Sequence, residues 1–331
     1  MLTFMIRNIF ILCFSAIIFL SCNNEIDLNE TFREIPVTYG ILNSKDTAQY
    51  IRIERVFNSS GESALVLAKN TDSLYYNNIT VKLKDETSGK EFELTRIDGN
   101  TDKHSREDGI FATAPNYLYK IKTDKIGIKP GNKYSLNILN SDKDTLTKST
   151  IEIVKDMSIY IPASNEKPVK LLYFSNFNIN WEGGSNAGYY DVLITFNIKE
   201  KNTSGSNIWT DRSFTWKAGE FLTDQKLRLG GEDFYKFIGT AIEPDENILR
   251  RFSGFDITVR GVGKELKEFI DILHFDSGIT SSQQLPTYSN MSYGYGVFSS
   301  QNSVKSSGFL LDEIARDSLR IGVYTKRLNF E

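Results

Sequence analysis

The 331-residue chain is poor in the residues that staple or cross-link small domains: two Cys, two His and seven Pro. Both cysteines, Cys13 and Cys22, fall in the first 22 positions. No disulfide framework can therefore hold the remaining chain. His104 and His274 are isolated and have no Cys partners, which excludes a structural zinc site. Long hydrophobic runs are also missing. Residues 9–20 are apolar apart from Ser15, but as a helix they extend only about 18 Å against a bilayer core of about 30 Å. With a formal charge of −3 and no basic run, the composition carries no nucleic-acid footprint.

Motifs that carry chemistry are absent as well. Gly261-Val262-Gly263-Lys264 stands where a phosphate loop would, yet it lacks the third glycine, and Glu265 replaces the Ser or Thr. It reads as a tight strand-to-helix turn. Asp98, Asn100 and Asp102 match the first ligand positions of a calcium loop, but Lys103 and Gly109 occupy the places of the required Gly and Glu. No serine sits in a nucleophile elbow. The chain is expected to be non-enzymatic and to use no cofactor or metal.

What is present begins with an address. The short apolar run, preceded by Arg7 and followed by a small residue, has the build of a signal peptide. Phe19-Leu20-Ser21-Cys22 resembles a bacterial lipobox, which implies cleavage after residue 21 and lipid on the sulfur and amine of Cys22. The competing reading is an ordinary secretory peptide that happens to contain a cysteine. Residues 1–21 are then the lipoprotein signal peptide and 22–34 a lipidated polar tether. Extended, residues 23–33 reach about 35 Å at ~3.3 Å per residue.

From Ile35 the pattern has period two. Val37, Tyr39 and Ile41 alternate with Thr38 and Gly40, and Ile51 and Ile53 with Arg52 and Glu54. Ile79, Val81 and Leu83 pair through the turn at 85–90 with Phe92 and Leu94. Pro130-Gly131 feeds a strand in which Tyr134, Leu136 and Ile138 share a face, like the corner and penultimate strand of an immunoglobulin or fibronectin-type sandwich. Past Pro162 and Pro168, Phe177, Ile179 and Trp181 precede the Tyr190–Ile198 alternation. Helical spacing recurs at Phe234, Phe237, Ile238 and Ala241, and at Leu266, Phe269, Ile270 and Leu273. The pattern predicts a short helix over 63–69 and a closing helix over 306–319. The fold class expected is mainly β: two consecutive immunoglobulin/fibronectin-like β-sandwiches, an N-terminal one over 35–156 and, after a linker at 157–168, a C-terminal one with helical insertions over 169–331.

Residues 275–303 mix Ser, Gly, Tyr and Asn, the composition of adaptable binding loops. Tyr288, Tyr293, Tyr295 and Phe298 are the candidate binding residues; alternatively, they fold back over an apolar face. The lipobox, the acidic tether with Glu25 and Asp27, PVTYGILNSKDTAQYIRIERVF, GIKPGNKYSLNI and LPTYSNMSYGYGVFSS together resemble a Bacteroidota outer-membrane lipoprotein family, a domain of unknown function often encoded beside TonB-dependent receptors. The resemblance implies attachment to the outer membrane through Cys22, on either its cell-surface or its periplasmic face, and a partner that is an integral outer-membrane protein such as a TonB-dependent transporter. The alternative role is a structural subunit of a larger secretion, gliding or barrel-assembly complex. A surface hydrolase is the third, and no acid, base and nucleophile set supports it.

Overall fold

A computed structural model describes residues 34–56, 63–205, 208–275 and 288–331; Cys22 lies outside them. In chain order, β1 (Pro36–Asn43) and β2 (Ala48–Arg55) form a hairpin, followed by the short helices α1 (Ala64–Lys69) and α2 (Thr71–Leu74). β3 (Thr80–Asp85), β4 (Glu91–Glu93) and β5 (Thr95–Asp98) lead through a 3₁₀ turn to β6 (Tyr117–Lys122), α3 (Thr123–Ile126), β7 (Lys133–Leu139) and β8 (Thr145–Glu152). The second half runs β9 (Met157–Ile161), β10 (Asn176–Gly183), β11 (Ala187–Asn202), β12 (Thr210–Leu222), β13 (Lys226–Gly230) and α4 (Gly231–Ala241). It ends with β14 (Ile248–Gly263), α5 (Lys264–Phe275), β15 (Tyr295–Phe309) and α6 (Glu313–Ile321).

The architecture is mainly β, with two sandwiches sharing one sheet. Eight strands in the order β12-β11-β14-β15-β1-β2-β6-β5 make that sheet. The inward side chains of β1, β2 and β6, among them Leu42, Ile51, Ile53 and Ile121, pack against Val81, Leu83, Leu136, Ile138 and Ile151 of the four-stranded sheet β4-β3-β7-β8. In the other half Val192, Ile194, Phe196, Phe255 and Ile257 meet Phe177, Ile179, Trp181 and Leu229 of the sheet β13-β10-β9. Phe234 and Ile238 of α4 and Ala315 and Leu319 of α6 close this second core. The Tyr134 hydroxyl lies 3.1 Å from the Lys129 amide, which donates to it, and 3.3 Å from the Gly127 carbonyl, so the corner before β7 is a tyrosine corner.

β15 joins the halves. Its first residues pair in parallel with β1 (Val37↔Tyr295 to Asn43↔Gln301), and its last pair antiparallel with β14 (Val262↔Gln301 to Phe255↔Phe309). Residues 35–331 form one compact unit. The expected boundary is also narrower than 157–168, because Met157–Ile161 is a strand paired with β10. Met157 and Ile159 pack on the second core, an alternation hidden by the prolines that follow.

Two further expectations change. Residues 295–303, read as a loop, are strand. Their Ser and Asn side chains sit at the waist between the cores: Ser300 Oγ donates to the Glu152 carbonyl (2.9 Å) and accepts from the Val154 amide (3.1 Å), while Asn302 Nδ2 donates to the Val154 carbonyl (3.1 Å). Buried polar side chains here satisfy the backbone where the chain passes from one sandwich to the other. The closing helix begins at Glu313 and not at 306, because residues 306–309 still belong to β15 and the Asp312 carboxylate caps the helix by accepting from Ala315 N at 2.9 Å. The alternation in β1 leaves its buried face open, and the structure decides it. Thr38, Gly40 and Leu42 point into the core, whereas Tyr39 and Ile41 are exposed at 40% and 38%. Residue 40 faces inward with little room, since a Cβ there would lie 2.4 Å from Ile51 Cδ1 and the isoleucine tip would have to shift.

Candidate functional site

The four aromatics of the 288–298 stretch do not share a surface. Tyr295 and Phe298 are three apart on one strand, so their side chains leave opposite faces of the sheet. Tyr295 is exposed beside Val37, and Phe298 is fully buried in the first core. Phe298 is thereby corrected from candidate binding residue to core residue. Tyr293 is half-buried, its backbone carbonyl accepting from Thr147 Oγ1 at 2.7 Å. Tyr288 is half-buried too, and burial, together with its hydrogen bond to Glu268 and the charges of Glu268 and Glu265, holds its hydroxyl far above the ordinary phenol range. Tyr288 links the segment before β15 to α5 through its hydrogen bond to Glu268.

The calcium-like triplet is likewise structural. Asp98 Oδ1 accepts from the amides of Asn100 and Asn116 (both 3.0 Å), whereas Asp102 Oδ2 accepts from Tyr50 (2.8 Å) and Lys120 (2.6 Å). Asn100 turns elsewhere, donating to the Thr113 carbonyl at 2.8 Å. The three side chains hold the 99–116 loop and do not converge. His104 packs against Tyr50 at 4.1 Å between ring centroids, and the side chain of His274 lies outside the described residues.

A site that the sequence reading did not single out is an apolar cleft of about 470 Å³ beside α6. Its walls are Phe174, Ile314, Ile321 and Val323, with Tyr173, Asp317 and Ser318 at the margin. α6 carries two apolar stripes. Ala315 and Leu319, four apart, enter the core; Ile314 and Ile321, seven apart, line the cleft. Opposite them, the turn at 172–175 holds Phe174 at 96% exposure, edge-on to Tyr173 at 4.7 Å. The Tyr235 hydroxyl fixes this wall from below, its proton shared between the carbonyls of Leu171 (2.8 Å) and Ala315 (2.9 Å).

The rim is polar. Glu232, in the first turn of α4, accepts from the hydroxyls of Tyr324 (2.8 Å) and Tyr173 (3.2 Å). The hydrogen bond to Glu232, then burial and the Glu232 charge, push the Tyr324 hydroxyl up to about 12; burial, then Glu232, raises that of Tyr173. Both tyrosines therefore stay protonated at neutral pH and screen the carboxylate. The arrangement suits an aliphatic or aromatic group of a ligand in the cleft, with donors accepted at the rim. The spacing of Ile314 and Ile321 was visible in the sequence, but Phe174 carried no signal that it would remain outside the core.

Fold and site together define a mainly β protein of two fused sandwiches with an open apolar cleft at one end. The chain belongs to the family described as "Domain of unknown function (DUF4249)", whose profile matches residues 23–307 and stops short of α6. Among curated proteins, no sequence matches. Among solved structures, the chain is similar to the crystal structure of chicken CNTN1 FN1-FN3 domains, at 12% identity and a TM-score of 0.23 over 69% of this chain. The match spans 60% of that chain's length.

Proposed function

We propose that this protein is an outer-membrane lipoprotein, attached through lipid on Cys22, that binds an integral outer-membrane partner such as a TonB-dependent transporter without catalysis. The apolar cleft is the contact surface. The observation that carries this reading is Phe174 at 96% exposure facing Ile314, Ile321 and Val323 across the cleft. Contiguous apolar surface of this kind marks an interaction site in proteins that otherwise keep such side chains inside. The lipobox-like Phe19-Leu20-Ser21-Cys22 supports the envelope setting.

Co-purification in mild detergent tests the reading. Tagged wild type should retain an integral β-barrel protein, and Phe174→Asp with Ile321→Asp should reduce its recovery at least about tenfold, the effect of ~1.4 kcal/mol. Both positions are solvent-exposed, so the thermal midpoint should stay unchanged. Wild type recovered as a partner-free monomer refutes the reading.

The anchor has its own test. Cys22→Ser should move the protein from the membrane to the soluble fraction with an unchanged circular dichroism spectrum, because more than one acyl chain is needed for stable attachment. Full retention of the variant in the membrane fraction would count against lipidation.

A further inference from the structure

From the geometry we infer a second membrane contact, resting on the lipid-anchor reading: the tip formed by α1 and the 109–112 loop enters the lipid surface that holds Cys22. Leu65, Val66 and Ile110 are exposed at 63%, 60% and 58%. They stand on one cluster, since the Ala112 amide donates to the Ala68 carbonyl (2.8 Å) and Lys69 Nζ to the Gly109 carbonyl (2.5 Å). Beneath them Leu67 and Ala68 are buried, so α1 is seated by one side and offers the other.

The position of the tip selects its occupant. The chain enters the fold at Ile35–Pro36, and Pro36 pairs with Arg55, whose Nε donates to the Ser73 carbonyl at 3.0 Å beside α2. In the neighbouring pair Asp98↔Tyr117, β5 ends and β6 begins at this same edge of the sheet, so the 99–116 loop projects there too. The tip thus stands at the edge where the tether attaches. Residues 23–33 cannot reach beyond about 35 Å. The cleft is elsewhere: β15 starts beside β1 at Tyr295 and runs 15 residues, roughly 45 Å at ~3.3 Å per residue, before α6 follows. A lipid on Cys22 can therefore bring the membrane to the tip without covering the cleft.

Charge around the tip is mixed. Lys69 and Lys103 are matched by Asp72, Glu107 and Asp108, while Arg106 pairs with Glu54 at 2.7 Å. Contact is consequently apolar and does not depend on anionic lipid. Aliphatic side chains at an interface bury without needing a charged headgroup.

The acylated full chain carries no other reactive thiol, because Cys13 leaves with the signal peptide and the Cys22 sulfur is substituted. Ile110→Cys, labelled with a polarity-sensitive fluorophore, is reconstituted in phosphatidylethanolamine vesicles containing a nitroxide-lipid quencher; Ile321→Cys in the cleft is the control. The expected result is a blue shift and quenching at 110 and neither at 321, unchanged when phosphatidylglycerol is added. A water-exposed label at 110 on protein that floats with the vesicles overturns the tip contact and leaves the anchor standing. Failure to float removes the anchor reading and this inference with it. A shift at 110 already present without vesicles assigns the tip to a second copy of the chain and overturns the lipid contact.

Discussion

Arg250→Ala is expected to destabilise the protein by about 3–5 kcal/mol, the cost of breaking a buried ion pair and unpairing two backbone carbonyls. Arg250 and Glu200 are exposed at only 2% and 7% of their side chains, and the Nε–Oε1 distance is 2.8 Å. Arg250 Nη1 also donates to the Leu328 carbonyl (2.7 Å) and Nη2 to the Glu243 carbonyl (3.1 Å). One guanidinium therefore ties β14, β11, the end of α4 and the C-terminal turn. Its removal orphans two carbonyls and leaves the carboxylate with Arg212 alone, whose Nη1 donates to Glu200 Oε2 at 2.9 Å. Arg250→Met combined with Glu200→Leu should recover part of the loss, because no buried charge remains although both carbonyls stay unpaired. Urea midpoints at constant slope measure the difference; an Arg250→Ala midpoint equal to wild type would refute the account.

The same pair sets an acid limit. Burial raises the Glu200 carboxyl, but hydrogen bonds and charge from Arg212 and Arg250 outweigh it and hold the group below its ordinary range. A carboxyl depressed in the folded state stabilises it fully above the unfolded value, and the contribution fades as pH falls through the folded one. Stability should thus drop on acidification below the ordinary glutamate range, and the drop should be shallower in the double substitution.

The strands that were legible from sequence have one side chain pattern and one turn each. The β1–β2 hairpin announced itself through Asn43-Ser44-Lys45-Asp46, where Asn43 Oδ1 accepts from Lys45 N at 3.0 Å, and β7 through the corner that precedes it. β15 was illegible because both of its edges are occupied by other strands and its inward Ser300 and Asn302 serve the 152–156 backbone, so neither β-propensity nor apolar alternation marks it. The facing of β1 was not legible for a related reason. Tyr39 is covered only in part, by the Phe269 ring of α5 at 6.2 Å, and periodicity fixes that two faces differ without saying which one a later helix will cover. The cleft shows the same limit, since α6 presents four apolar side chains and tertiary packing alone decides that Ala315 and Leu319 go in while Ile314 and Ile321 stay out.

Phe298→Ala separates a packing role from a binding one and should cost about 3–5 kcal/mol, as for other buried phenylalanines. The side chain is fully buried, its Cδ2 only 3.2 Å from where a Cβ on Gly40 would stand. The Asn290 amide brackets its backbone, donating to the Phe298 carbonyl (2.6 Å) and accepting from its N–H (2.9 Å). A cavity here has little freedom to collapse. Tyr295→Ala, on the exposed face, should cost far less. The position also reports on how the two sandwiches are coupled. Trp181, Trp209 and Trp216 all lie in the second half, and Phe298 belongs to the first core. Because β15 is hydrogen-bonded into both halves, the halves should unfold together, and Phe298→Ala should shift the tryptophan fluorescence transition by as much as the circular dichroism transition. A fluorescence midpoint left unmoved while circular dichroism shifts would show two independent domains, and a Phe298→Ala protein as stable as wild type would return this residue to the surface.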